Sequence, residues 1–196
     1  MPLDFDLINS SIIQSEISIN NRKPLINQDL YQIKDFIPNA FLSKLLNYAI
    51  ISDNWLVQEG VTGGPVYNNR YKINWHPDSV VEELHIIFEN LTQNIENIFK
   101  KSLKFDGISI WKDLEKFELP IHADNQKISA SIQIYLNDCP SILGTTFFNE
   151  DKEFFIPFEK NNGYLVDNRR QLLHYVATPV PAGITRYSVN AIWIDA

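Results

Sequence analysis

The chain has 196 residues, 44% of them apolar and 21% charged, with a formal net charge of -7. That composition suits one domain with a sizeable core and argues against disorder, while the acidic balance argues against a basic footprint for nucleic acid or anionic lipid. Cys139 is the single cysteine, which excludes a disulfide framework and a thiolate zinc cluster; the opening residues do not read as a signal peptide and no stretch reaches membrane-span length, so a cytoplasmic protein is expected.

Residues 30–37, "LYQIKDFI", alternate well enough to predict a strand. The next stretch, "PNAFLSKLLNYAII", carries Phe41, Leu42, Leu45, Leu46 and Ala49 on one helical stripe. A polar segment follows, and its Gly63-Gly64-Pro65 predicts a turn or a mobile loop over residues 60–70. A long helix is predicted from "HPDSVVEE", where Ser79 and Glu82 have capping-box spacing, to about residue 100, with Leu84, Ile87, Phe88, Leu91, Ile95 and Ile98 on its apolar face.

From residue 105 the period changes to two. In "KISASIQIYLND", Ile128, Ala130, Ile132, Ile134 and Leu136 share one face, and Ser129, Ser131, Gln133 and Tyr135 the other. "LLHYVATPV" and "RYSVNAIWI" behave similarly, with turns at Asn137-Asp138, Asn161-Asn162-Gly163 and Pro181-Ala182-Gly183. Short strands in series predict a sandwich or barrel. The polar faces either meet water or line a small ligand-holding barrel, and periodicity admits both. The expected organisation is a single domain, residues 1–196. Residues 1–104 supply N-terminal strands and supporting helices to a β core over 105–196.

Four histidines occur in the chain. His122 and Asp124, in "LPIHADN", would project to one face of an extended strand, as two ligands of a metal must. His174, on a predicted strand fifty residues beyond Asp124, is the next histidine, and Arg186 and Ser188 share a strand face after it. For any one of these residues a surface or core-packing role is the commoner outcome. Two histidines and a carboxylate in this order, however, make the facial triad that leaves iron(II) positions open, and an arginine fork suits a carboxylate.

On these residues, the region 105–194 resembles the catalytic core of the Fe(II)/2-oxoglutarate-dependent dioxygenases. "IYLND" followed by "LGTTFF" and "GYLVDNRRQLLHYVATPVPAGITRYSVNAIWI" are similar to that family's strands and distal block. The resemblance implies a double-stranded β-helix (a jelly-roll, cupin-like barrel) within an α+β, mainly β chain. It implies that His122, Asp124 and His174 bind Fe(II). Arg186, Ser188 and Tyr135 would hold 2-oxoglutarate as co-substrate, with O2 as oxidant and ascorbate as an accessory reductant. The implied reaction is hydroxylation of an unactivated C–H bond coupled to release of succinate and carbon dioxide.

The N-terminal order of elements is compatible with the prolyl-hydroxylase-like branch. Pro120 stands where prolyl 4-hydroxylases often carry tyrosine, and Asp167-Asn168 where an apolar residue is common. The nucleic-acid demethylase branch carries a second arginine soon after the carboxylate-binding one, whereas Arg186 is the last arginine here. The expected partner is therefore a small-molecule or peptide substrate, with no nucleic acid and no membrane. An amino-acid side chain, with proline in a peptide or free, is favoured. The alternatives are another small molecule, a cupin-like zinc hydrolase or isomerase, and a non-catalytic binding barrel. Residues 60–70 are a candidate lid, with Tyr67 and Arg70 reaching the barrel mouth. His76, His85, Arg169 and Arg170 are expected to be solvated, and Cys139 to be a turn residue without redox function.

Overall fold

The computed structural model describes residues 19–26, 28–58, 69–74 and 80–196. A hairpin of β1 (Arg22–Ile26) and β2 (Leu30–Ile33) leads to helix α1 (Asn39–Ile51). Strands β3 (Trp55–Val57) and β4 (Arg70–Ile73) precede helices α2 (Val80–Asn90) and α3 (Thr92–Phe99). The β core then runs through β5 (Leu103–Asp113), β6 (Leu119–His122), β7 (Ala130–Tyr135), β8 (Thr145–Asn149) and β9 (Lys152–Ile156). It closes with β10 (Gly163–Asp167), β11 (His174–Val176) and β12 (Arg186–Asp195).

Two antiparallel sheets result. The larger has the order β1-β2-β10-β7-β12-β5-β4-β3, and the smaller β6-β11-β8-β9. The non-sequential neighbours are those of a double-stranded β-helix. The predicted alternation of β7 is present, and both of its faces are inside. Ala130, Ile132 and Ile134 join Leu84, Ile87, Phe88, Ile95, Val189 and Trp193 in the core between the large sheet and the helices. On the opposite face Ser131, Gln133 and Tyr135 are also buried, and Tyr135 packs with Phe147, Ile156 and Phe158 in the core between the two sheets. The polar faces therefore line the barrel interior. Gly163 permits this closure, since a Cβ there would stand 1.8 Å from the backbone oxygen of Gln133 on the paired strand.

Several boundaries differ from expectation. The strand predicted over 30–37 stops at Ile33, because Asp35 takes a left-handed conformation (φ 51) that turns the chain into α1. The long helix is two. At the break the Leu91 N–H bonds the Phe88 carbonyl three residues back, and the Thr92 hydroxyl donates to the Glu89 carbonyl and accepts the indole N–H of Trp193. The β core starts at Leu103 rather than 105, and the strand around His174 covers only three residues. His85 is half-buried, edge-on to Phe105 at 4.8 Å, not solvated on the helix surface. Ser79 of the expected capping box, His76, and Gly63, Gly64, Pro65 and Tyr67 of the expected lid lie outside the described residues.

Candidate metal centre and carboxylate pocket

Strands β6 and β11 pair antiparallel with His174 directly opposite His122. Strand β6 ends at His122, so Asp124 is delivered by the turn beyond it rather than by a strand. The carboxylate of Asp124 stands 3.9 Å from Nε2 of His122 and 3.7 Å from Nε2 of His174, and one ligand atom from each residue lies within 4.8 Å of the others. Ligands about 2.1 Å from one ion stand roughly 3 Å apart when adjacent and at most about 4.2 Å apart, so a small inward adjustment closes this trio on a metal.

The hydrogen bonding agrees with that use. Nδ1 of His122 faces the Pro120 carbonyl at 2.9 Å, and Nδ1 of His174 faces the Leu172 carbonyl at 3.2 Å. A carbonyl only accepts, so each ring carries its proton on Nδ1 and turns the Nε2 lone pair to the centre. Burial lowers the His122 pKa first, and the neighbouring His174 lowers it further, favouring the neutral, ligating form. His174 is buried and stacks on Phe147, with ring centroids 5.0 Å apart.

Deeper in the barrel lies Arg186, 3% exposed, at the start of β12. Its guanidinium sits near Phe158 (5.0 Å) and Phe117 (5.5 Å), and Nε and Nη1 have no hydrogen-bond partner. Buried donors without acceptors are costly, and an anion bound here would meet them. Ser188, two residues along, is buried and lies opposite Tyr135 in the β12–β7 register. The Tyr135 hydroxyl is 2.9 Å from the Thr145 hydroxyl, and its pKa is raised by burial, with Arg186 opposing. Burial pushes the Tyr164 phenol well up, and Tyr135 and Asp124 raise it further.

The sequence reading missed Asp113, which is fully buried beside Arg186. It also missed Tyr164 and Thr145. Alternation marks all three as barrel-facing, but no spacing signal relates them to the histidines. Arg70, expected at the barrel mouth, is instead a mostly buried partner of Asp113. Asp167 and Asn168 have structural roles: Asp167 pairs with Lys101 and accepts the Arg169 N–H, and Asn168 donates to the Ser131 hydroxyl. Arg169 and Arg170 are exposed as expected. Cys139 is half-buried beside the Thr185 carbonyl, and burial raises its pKa.

No family model and no curated protein matches this sequence. Solved structures do. A prolyl hydroxylase from Trichoplax adhaerens, in complex with a hypoxia inducible factor oxygen degradation domain peptide fragment, superposes with a TM-score of 0.71 at 14% identity, covering 100% of this chain and 94% of that one. A prolyl-4-hydroxylase from Pseudomonas putida gives 0.70 at 14% identity, over 95% of this chain and 99% of that one. HygX from Streptomyces hygroscopicus, with nickel, 2-oxoglutarate and hygromycin B bound, gives 0.64 at 8% identity, over 86% and 83%. The fold of this chain is that of the prolyl hydroxylases and other 2-oxoglutarate-dependent oxygenases, a double-stranded β-helix.

Proposed function

We propose that this chain is an Fe(II)- and 2-oxoglutarate-dependent dioxygenase that hydroxylates an unactivated C–H bond. The observation that supports it most is the pairing of two features in one barrel. Two histidines and a carboxylate bring ligand atoms within 4.8 Å of one another, and a buried arginine with unmet donors stands at the start of β12 of the same barrel. A zinc site alone would leave the unmet donors of that arginine unexplained.

His122, Asp124 and His174 would hold the iron, with each histidine fixed in the ligating tautomer by its backbone acceptor. Iron held there would activate dioxygen, the oxidant, with 2-oxoglutarate giving up two electrons as it goes to succinate and carbon dioxide, and so would supply the oxidising power for attack on the C–H bond. The protein's part is orientation and exclusion of water. Arg186 would take the distal carboxylate, and Ser188 and Tyr135 would border it. Phe117, Phe147 and Phe158, all buried, keep the pocket dry and so strengthen that ion pair.

The favoured substrate is an amino-acid side chain, with proline in a peptide or free first. The support is likeness of fold to prolyl hydroxylases, which is analogy. Among the described residues no helix is long and apolar enough to cross a membrane, and a cytoplasmic setting is part of this reading. A succinate-release screen with Fe(II) and 2-oxoglutarate, over proline-rich peptides, free amino acids and nucleosides, tests it. The expected result is release of succinate with a gain of one oxygen on a proline-containing substrate. Oxidation of a nucleoside alone would overturn the substrate assignment, and failure to bind 2-oxoglutarate would overturn the class.

A further inference from the structure

Three charged residues form a row across adjacent strands. Arg70 on β4 lies directly opposite Asp113 on β5, and Asp113 directly opposite Arg186 on β12. Asp113 is fully buried, and Arg70 grips it with a two-pronged fork, Nε to Oδ1 at 2.7 Å and Nη2 to Oδ2 at 3.0 Å. Arg186 Nη1 is 3.5 Å from the same Oδ2 but makes no hydrogen bond with it. Phe117 lies against both guanidiniums, 4.5 Å from that of Arg70 and 5.5 Å from that of Arg186.

This asymmetry needs a reason. A carboxylate within 3.5 Å of a buried arginine that has unmet donors would ordinarily turn and pair with it. Here the fork from Arg70 takes one hydrogen bond on each carboxylate oxygen and fixes the plane of the group. We propose that Arg70 is a positioning residue that holds Asp113 off Arg186, keeping Arg186 open for an incoming carboxylate and preventing the protein's own aspartate from occupying that slot. The inference rests on the assignment of Arg186 as a carboxylate-binding residue.

Charge balance supports the arrangement. Arg70 and Asp113 cancel, leaving Arg186 with one uncompensated positive charge for one carboxylate. Without Arg70, the row is neutral by itself and Asp113 becomes an internal competitor.

The test is calorimetric binding of 2-oxoglutarate to Mn(II)-loaded protein and of glutarate to metal-free protein, for wild type and four variants. Melting temperature and Mn(II) affinity are measured alongside to show that each variant is folded. Arg70→Leu is expected to weaken both dicarboxylates by about tenfold or more, since Asp113 can then pair with Arg186. Arg70→Lys, which keeps the charge and loses the fork, should fall between. Asp113→Asn alone should bind them more tightly than wild type. The double variant Arg70→Leu/Asp113→Asn should recover to within about threefold of wild type, because an amide cannot replace the anion.

Equal losses in Arg70→Leu and the double variant would overturn the inference, as would wild-type affinity in Arg70→Leu. Should Arg70→Leu not fold, the other variants decide: weaker binding by Asp113→Asn, or unchanged binding by Arg70→Lys, overturns it. The expected pattern with glutarate, in a protein that never turns over 2-oxoglutarate, would sustain this inference while removing the proposed reaction. A wild type that binds neither dicarboxylate removes both.

Discussion

His122 and His174 face one another across the β6–β11 pair in direct register, with ring centroids 4.2 Å apart, and Asp124 reaches the same point from the turn after β6. Register, rather than sequence proximity, brings the two rings together, and each is tied to a carbonyl two residues behind it. Backbone geometry thus brings the candidate metal ligands together.

His174→Ala should lower Mn(II) or Fe(II) affinity by more than about 100-fold, beyond the 10–100-fold typical of losing a supporting partner. Calorimetry with Mn(II) measures this. The melting temperature of the metal-free variant should fall by a few degrees, because His174 is buried and stacks on Phe147, so the affinities are compared well below that transition.

Acidification should destabilise the metal-free protein. The His122 pKa is lowered in the folded state by burial and by His174, so the unfolded chain binds the proton more readily. Stability is therefore full above the ordinary imidazole value of about 6.5 and declines as pH falls below it toward the folded pKa. Denaturant unfolding at a series of pH values should show this slope, and His122→Gln should flatten it.

Arg186→Met should abolish 2-oxoglutarate binding and leave Mn(II) affinity intact. It should also stabilise the ligand-free protein, by about 1–3 kcal/mol, by removing buried unmet donors while Asp113 stays paired with Arg70. Chemical denaturation and calorimetry on the same sample separate the two effects. A less stable Arg186→Met would mean that Asp113 depends on Arg186 for its charge compensation.

Gly163→Ala should destabilise the fold by about 3 kcal/mol or more, because overpacking against backbone cannot be relieved by a rotamer change. The added Cβ would meet the Gln133 oxygen at 1.8 Å, where β10 closes on β7. Urea unfolding checks it, and metal affinity should fall with the fold rather than selectively.

Tyr135→Phe should raise KM for 2-oxoglutarate several-fold with kcat largely kept, since on the proposed reading the hydroxyl would border the co-substrate rather than the reacting carbon. It also removes the hydrogen bond between the Tyr135 and Thr145 hydroxyls, at about 1 kcal/mol. Steady-state kinetics at saturating substrate distinguishes the two contributions.

Much of the core was written in local pattern. The alternation over 130–135 named which side chains of β7 face the helices, and the stripe from Phe41 to Ala49 named the buried face of α1. These succeed because burial imposes a period on consecutive residues wherever an element has one apolar face. The ordered His122, Asp124, His174 and Arg186 were legible for another reason: a chemical role demands particular residue types, and few histidines compete for it.

What the pattern left open was whether the polar face of β7 meets water or a second sheet, since Ser131 and Gln133 suit either. It also could not place Asp113. That residue reads as the end of a strand, and Arg70 as part of a loop, until three strands distant in sequence align in one row. Nor could the pattern show that Trp193 reaches Thr92, at the break after Leu91, across 101 residues. Local sequence determined which residues are buried and which can do chemistry. Only tertiary structure decided which charges share a space, because ion pairs and strand register are set by neighbours the chain meets after folding.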